Sequence, residues 1–95
     1  MRLTEALLRH VLELRFEQLD ARAVAATRVF AMDSLAVGIA GSGPQVPLTA
    51  VVRASAASYG QGAQARAWVS GEALPAASAA MVNGYQVHSQ EFDCV

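Results

Sequence analysis

Lysine is absent from this 95-residue chain: all seven basic side chains are arginine. That excludes a Schiff-base lysine and a phosphate-loop lysine within these residues. Cysteine is nearly absent. The single Cys94 excludes an internal disulfide and any multi-cysteine metal site. Charge is scarce too. Only 16% of the residues are charged, against about 25% in ordinary domains. Seven basic and eight acidic residues leave a net charge of -1, which excludes an electrostatic grip on nucleic acid. No His-x-x-x-His pair and no carboxylate cluster of ligand spacing occurs, so no metal site and no cofactor are expected.

What is present is mostly apolar. Apolar types make up 54% of the chain and the mean hydropathy is +0.30. Intrinsic disorder, which needs low hydrophobicity and high net charge, is excluded. A chain this short buries only about 60–65% of its unfolded surface, and few charges are available to cover the rest. The composition therefore predicts one domain, residues 1–95, that hides further surface against a partner, a second copy or a further stretch of polypeptide. Glu5 follows Arg2 closely and no uninterrupted apolar run comes after it, so no signal peptide is read. The most apolar run, 29–41, is broken by Asp33 and Ser34 and is shorter than the roughly 20 residues a bilayer span needs. With one unpaired cysteine, the expectation is a soluble cytoplasmic protein without membrane contact. A membrane-surface role lacks its basic helical face.

The patterning is helical. Thr4 is a candidate cap for a first helix, with Glu5 in its first turn. Leu7, Leu8, Val11, Leu12, Leu14 and Leu19 recur at helical spacing, opposite Arg9, Glu13 and Glu17. Asp20 is the next cap candidate and opens a helix over 21–40. Its first half exposes Arg22 and Arg28, whereas its second half is apolar nearly all round and is expected to be buried on most sides. The run 41–44, Gly-Ser-Gly-Pro, stops it. A third helix is predicted from Pro47 over 48–59. Residues 65–69 alternate and suit a short strand or extended connector. A fourth helix is predicted from Pro75 to about Phe92, crossing Asn83-Gly84, because Ala77, Met81, Gly84, His88 and Phe92 form a helical stripe. The fold class is all-α: about four closely packed helices with one short extended segment.

Chemistry-bearing groups gather at the end of the chain. On a continuous helix His88 and Glu91, at i and i+3, share a face and suit an acid–base pair. The plainer alternative is an exposed C-terminal turn with solvated charges. Asp33 lies in the apolar part of the second helix, where a buried carboxylate needs a partner, so structural anchoring is its expected role. Cys94 has no base at close spacing and reads as a spectator thiol. His10 reads as a surface histidine. Trp68 and Tyr85 read as packing or interface residues.

Three stretches together resemble one family. VFAMDSLAVGIAG (29–41) looks like the family's "llDtlgvalaG" helix, and WVSG (68–71) resembles its "vwG" segment. AAMVNGYQVHSQEFD (79–93) resembles "AAfvNgvaaHslDFDDT", the most specific of the three. The family is MmgE/PrpD, which includes 2-methylcitrate dehydratase and cis-aconitate decarboxylase. The resemblance runs from about Leu7 to Val95. It implies the N-terminal part of a large helical domain, completed by a smaller α/β lid. It further implies cofactor-independent abstraction or elimination beside a carboxylate, on small di- and tricarboxylates, usually in homodimers. Carried onto this sequence, the motif's first acid is Glu91 and its second is Asp93, both catalytic candidates. His88 would bind substrate or shape the pocket wall. Cys94 stands where the family has a third acid and Val95 where it has threonine, which points to a different substrate within the family. The family's essential histidine and its later lysines fall beyond this stretch, so the expectation is one wall of a site, inactive alone. The competing expectation is a non-catalytic helical module that dimerises or binds a partner through its apolar helices.

Overall fold

The computed structural model describes residues 2–91. Four helices and one small antiparallel hairpin follow in order: α1 (Leu3–Glu13), a 3₁₀ turn (Phe16–Gln18), α2 (Ala21–Ala40), α3 (Leu48–Ala57), β1 (Ala65–Arg66), β2 (Ala73–Leu74) and α4 (Ala76–His88). The all-α expectation holds, with the extended segment resolved as a two-stranded hairpin in the register Ala65 to Leu74 and Arg66 to Ala73.

Local chemistry explains the boundaries. Arg2, not Thr4, is the cap of α1, because Glu5 Oε2 folds back to accept from the Arg2 N–H at 3.3 Å. The helix does not continue to Leu19. Leu14 is extended, and the Arg15 N–H donates to Gln18 Oε1 at 2.7 Å, which closes a separate tight turn. Asp20 caps α2 as expected, accepting from the Arg22 N–H at 2.7 Å. At the far end Ser42 Oγ and Gln45 Nε2 donate to the Ile39 and Ala40 carbonyls at 2.6 and 2.8 Å. These bonds satisfy carbonyls that a helix end leaves orphaned.

Gly41 was expected as a helix-stopping glycine. Its φ of -66° is ordinary for any residue. Its real constraint is space: a Cβ there would overlap the Gln86 carbonyl of α4. At Gly38, one turn earlier, a Cβ would meet the Trp68 ring at 2.8 Å. Two glycines on one face thus let α2 approach α4 and the hairpin at backbone range.

α4 is the hub. It packs against α2, α3 and both strands. Its buried residues are Ser78, Ala79, Val82 and Gln86. The sequence stripe pointed to the wrong face: Ala77, Met81, Gly84 and His88 are exposed, and Phe92 lies outside the described residues. The helix does cross Asn83-Gly84, because the Asn83 side chain is occupied elsewhere and does not form a turn.

The core is thin and made of small side chains: Ala56, Ala67, Leu74, Ala79 and Val82, with Val52 and Ala65 against it. The second half of α2 is not buried on most sides. Gly38 is the one buried residue of that helix, while Leu35 and Ile39 stay 45% and 57% exposed. The reason is that α4 is the element lying along α2, so a single stripe is covered. Asp33 is exposed as well, so the buried carboxylate expected there does not exist and no burial cost arises. The radius of gyration is 16.8 Å, against about 12 Å for a compact domain of this length. α2, at 20 residues and a mean hydropathy of 1.5 over its apolar window, is long and apolar enough to cross a membrane by length and composition. The core helix of a soluble protein meets the same criterion.

Candidate functional site

The family-like acidic stretch sits at the C-terminal end of α4. Three side chains fix that end. Trp68 donates its backbone N–H to Asn83 Oδ1 at 2.8 Å, and Asn83 Nδ2 donates to the Arg66 carbonyl at 3.1 Å. Asn83 therefore clamps the hairpin loop by donor and acceptor at once. One turn on, the fully buried Gln86 donates through Nε2 to the Gly38 carbonyl at 3.2 Å and reaches the Trp68 carbonyl at 3.5 Å. Its Oε1 is buried with no protein partner. Buried Thr49 donates its hydroxyl to the Gly41 carbonyl at 2.6 Å, which ties α3 to the same corner. The buried hydrogen bonds made here fix one arrangement, since breaking any one strands its partner away from water. The Trp68 ring lies half-buried over Gly38, which confirms its packing role.

His88 is the last residue of α4 and is exposed. The chain then leaves the helix. Ser89 donates its hydroxyl to the Gln86 carbonyl at 3.1 Å, and the Glu91 N–H donates to the His88 carbonyl at 2.9 Å. Glu91 has a φ of +56°. The expected shared helical face of His88 and Glu91 is therefore corrected. The helix stops at His88, and Glu91 is held near it through the backbone in a left-handed turn, with its side chain exposed. A non-glycine residue in that region costs roughly 1–2 kcal/mol, and such residues cluster at functional sites. The motif's second acid, Asp93, and the thiol of Cys94 lie outside the described residues.

The arrangement presents an exposed imidazole and an exposed carboxylate on one turn, backed by an amide network on α4. No group of three metal-ligating side chains occurs among the described residues. Arg28 is on α2, Arg53 on α3 and Arg66 in β1, and Arg53 is already engaged with Glu72 at 3.6 Å. A polyanionic substrate needs convergent cations, and these three arginines stand on separate elements. His10 lies on α1, exposed, as expected of a surface histidine.

Sequence reasoning missed Gln86, Thr49 and the clamp role of Asn83. The available signal was polar: Asn83 and Gln86 are the two carboxamides of α4 and stand three apart.

Fold and site define a helical layer whose acidic, hydrogen-bonded corner lies at the end of its hub helix. Residues 5–95 match the model of the MmgE/PrpD N-terminal domain, and the chain belongs to that family. No curated protein and no solved structure matches it.

Proposed function

We propose that the chain is the N-terminal segment of a cofactor-independent MmgE/PrpD-type lyase or isomerase acting on small di- or tricarboxylates. Within it Glu91 serves as the acid or base toward substrate. Asp93 assists Glu91, and His88 lines the wall that binds the substrate carboxylate. The observation that carries this reading is Glu91 itself: the residue at the family motif's first acid is exposed, left-handed and anchored to the His88 carbonyl. A carboxylate placed that way can take or give a proton once substrate sits against it. The cations that neutralise a polycarboxylate then come from outside these residues, and the segment alone is inactive.

The test is a graft. Residues 5–95 replace the matching segment of an active family member, and turnover is followed by the absorbance of the unsaturated product. The expected result is a folded, active chimaera in which Glu91→Gln lowers kcat by about 10²–10⁴-fold. A folded, active chimaera indifferent to Glu91→Gln removes the role given to that residue. A folded but inactive chimaera removes the lyase reading altogether.

A further inference from the structure

We infer that Asn83-Gly84 is a modification site: a deamidation site held shut by the docked hairpin and opened when the hairpin leaves. The inference is independent of the carboxylate chemistry proposed above.

The first observation is the glycine. Gly84 lies inside α4, where glycine is less favourable than alanine. No contact among the described residues calls for it. Its φ is not positive, and a Cβ there would meet nothing within 4 Å. Gly38 and Gly41 differ, since a Cβ at either would run into Trp68 or the Gln86 carbonyl. What Gly84 does provide is an unshielded backbone nitrogen beside the Asn83 carboxamide. Asn83 is the only asparagine of the chain.

The second observation is how that carboxamide is held. The hairpin engages both of its polar atoms: Oδ1 accepts from the Trp68 N–H at 2.8 Å, and Nδ2 donates to the Arg66 carbonyl at 3.1 Å. The helix directs the Gly84 N–H back along its axis toward the Ala80 carbonyl. Deamidation needs the opposite arrangement, with the Gly84 nitrogen bonding to Asn83 Cγ. The Cγ–Nδ2 bond then breaks, and ammonia leaves with the proton of the Gly84 nitrogen. Water opens the resulting succinimide at either carbonyl, giving aspartate or isoaspartate. A clamped carboxamide beside a nitrogen in a helical ladder cannot close that ring. Both groups are freed once the hairpin undocks and this turn of α4 frays, so the rate follows the population of the opened form.

The step is one-way. Aspartate at position 83 still accepts from the Trp68 N–H, but it lacks the donor for the Arg66 carbonyl and sets a carboxylate oxygen against it. That carbonyl is left unpaired beside a like-signed oxygen, which is unfavourable in a half-buried contact. Isoaspartate adds a main-chain carbon to α4 just before Gln86 and shifts that side chain off the Gly38 carbonyl. A hairpin that opens for long is thereby kept from docking again, and the Trp68 ring stays away from Gly38.

The test incubates the chain in mildly alkaline buffer, with and without urea, and follows residue 83 by peptide mass mapping. Each event adds one negative charge to the net charge of -1, so the product also separates by ion exchange. Loss of the amide is expected to be about tenfold or more slower in buffer than in urea. Equal rates overturn the gate. In urea, Gly84→Ala is expected to slow the loss by about tenfold, since only glycine leaves its backbone so open to close approach. An unchanged rate overturns the role given to Gly84. The consequence is read on Asn83→Asp through Trp68, the only tryptophan. Its emission is expected to shift to the red and its amide to exchange about tenfold faster, while the helical circular dichroism signal is kept. An unshifted emission overturns the release of the hairpin, and a general loss of helix overturns its being local.

Discussion

The two halves of the molecule use side chains in opposite ways. From α3 onward, small residues do the packing: Ala56, Ala67 and Ala79 are buried, and buried Thr49, Ser78 and Gln86 add polar contacts. In α1 and α2 the large apolar side chains, Leu7, Leu8, Val29, Phe30 and Met32 among them, mostly face outward. Bulk is thus spent where this chain has nothing to pack against, and closeness where it has. Hydrophobicity alone marks the exposed apolar side chains of the first half, whereas polarity and small size mark the fold-defining contacts in the second.

The sharpest way to break this comparison is to add one carbon to the close-packed corner. Gly41→Ala forces a methyl into the Gln86 carbonyl, and the expected loss is about 3 kcal/mol by urea denaturation, at the upper end of overpacking costs. A loss below about 0.5 kcal/mol would show that α2 and α4 separate freely, at the level of an ordinary surface change.

Next comes the clamp. Asn83→Ala strands the Trp68 N–H and the Arg66 carbonyl, with an expected cost of about 2 kcal/mol. Amide exchange should accelerate selectively at Trp68. Uniform acceleration across the chain would instead mean that the hairpin has no separate attachment.

The smallest expected effect has the opposite sign. Glu91→Gly relieves the left-handed strain and should stabilise by about 0.5–1 kcal/mol, part of the αL penalty being offset by the entropy glycine loses on folding. The same variant abolishes the role proposed for Glu91 in the grafted enzyme. Stability and activity therefore move in opposite directions, and a destabilised Glu91→Gly variant would remove strain from the description of the site.

Much of the fold is legible in the sequence because its signals are local. Asp20 marks the start of α2, and the small residues at 41–43 mark its end. The alternating run after Gln64 reaches the hairpin. The end of α1 is not legible, since leucine spacing continues through Leu14 and Leu19. What stops the helix is a hydrogen bond from the Arg15 N–H to the Gln18 side-chain oxygen, which no periodicity records. The buried face of α4 is misread for a related reason: Met81 faces out and Gln86 faces in, so an apolar stripe selects the wrong side. For the site, the family-like motif locates His88 and Glu91. The left-handed turn that separates them from a common helical face depends on where α4 ends, and it becomes visible only in three dimensions.

The Gln86–Gly38 hydrogen bond spans 48 residues. Closing a loop of that length costs roughly 3 kcal/mol of chain entropy before the contact returns anything. On a ribosome adding about 5–20 residues per second, α2 emerges roughly two to ten seconds before Gln86 does. For that interval the most apolar helix of the chain lacks Gln86 to cover it, and Trp68 arrives only 18 residues ahead of Gln86. The order of synthesis thus makes nascent α2 a natural client for chaperones, and it makes α4 the element whose arrival ends the exposure of the corner around Gly38.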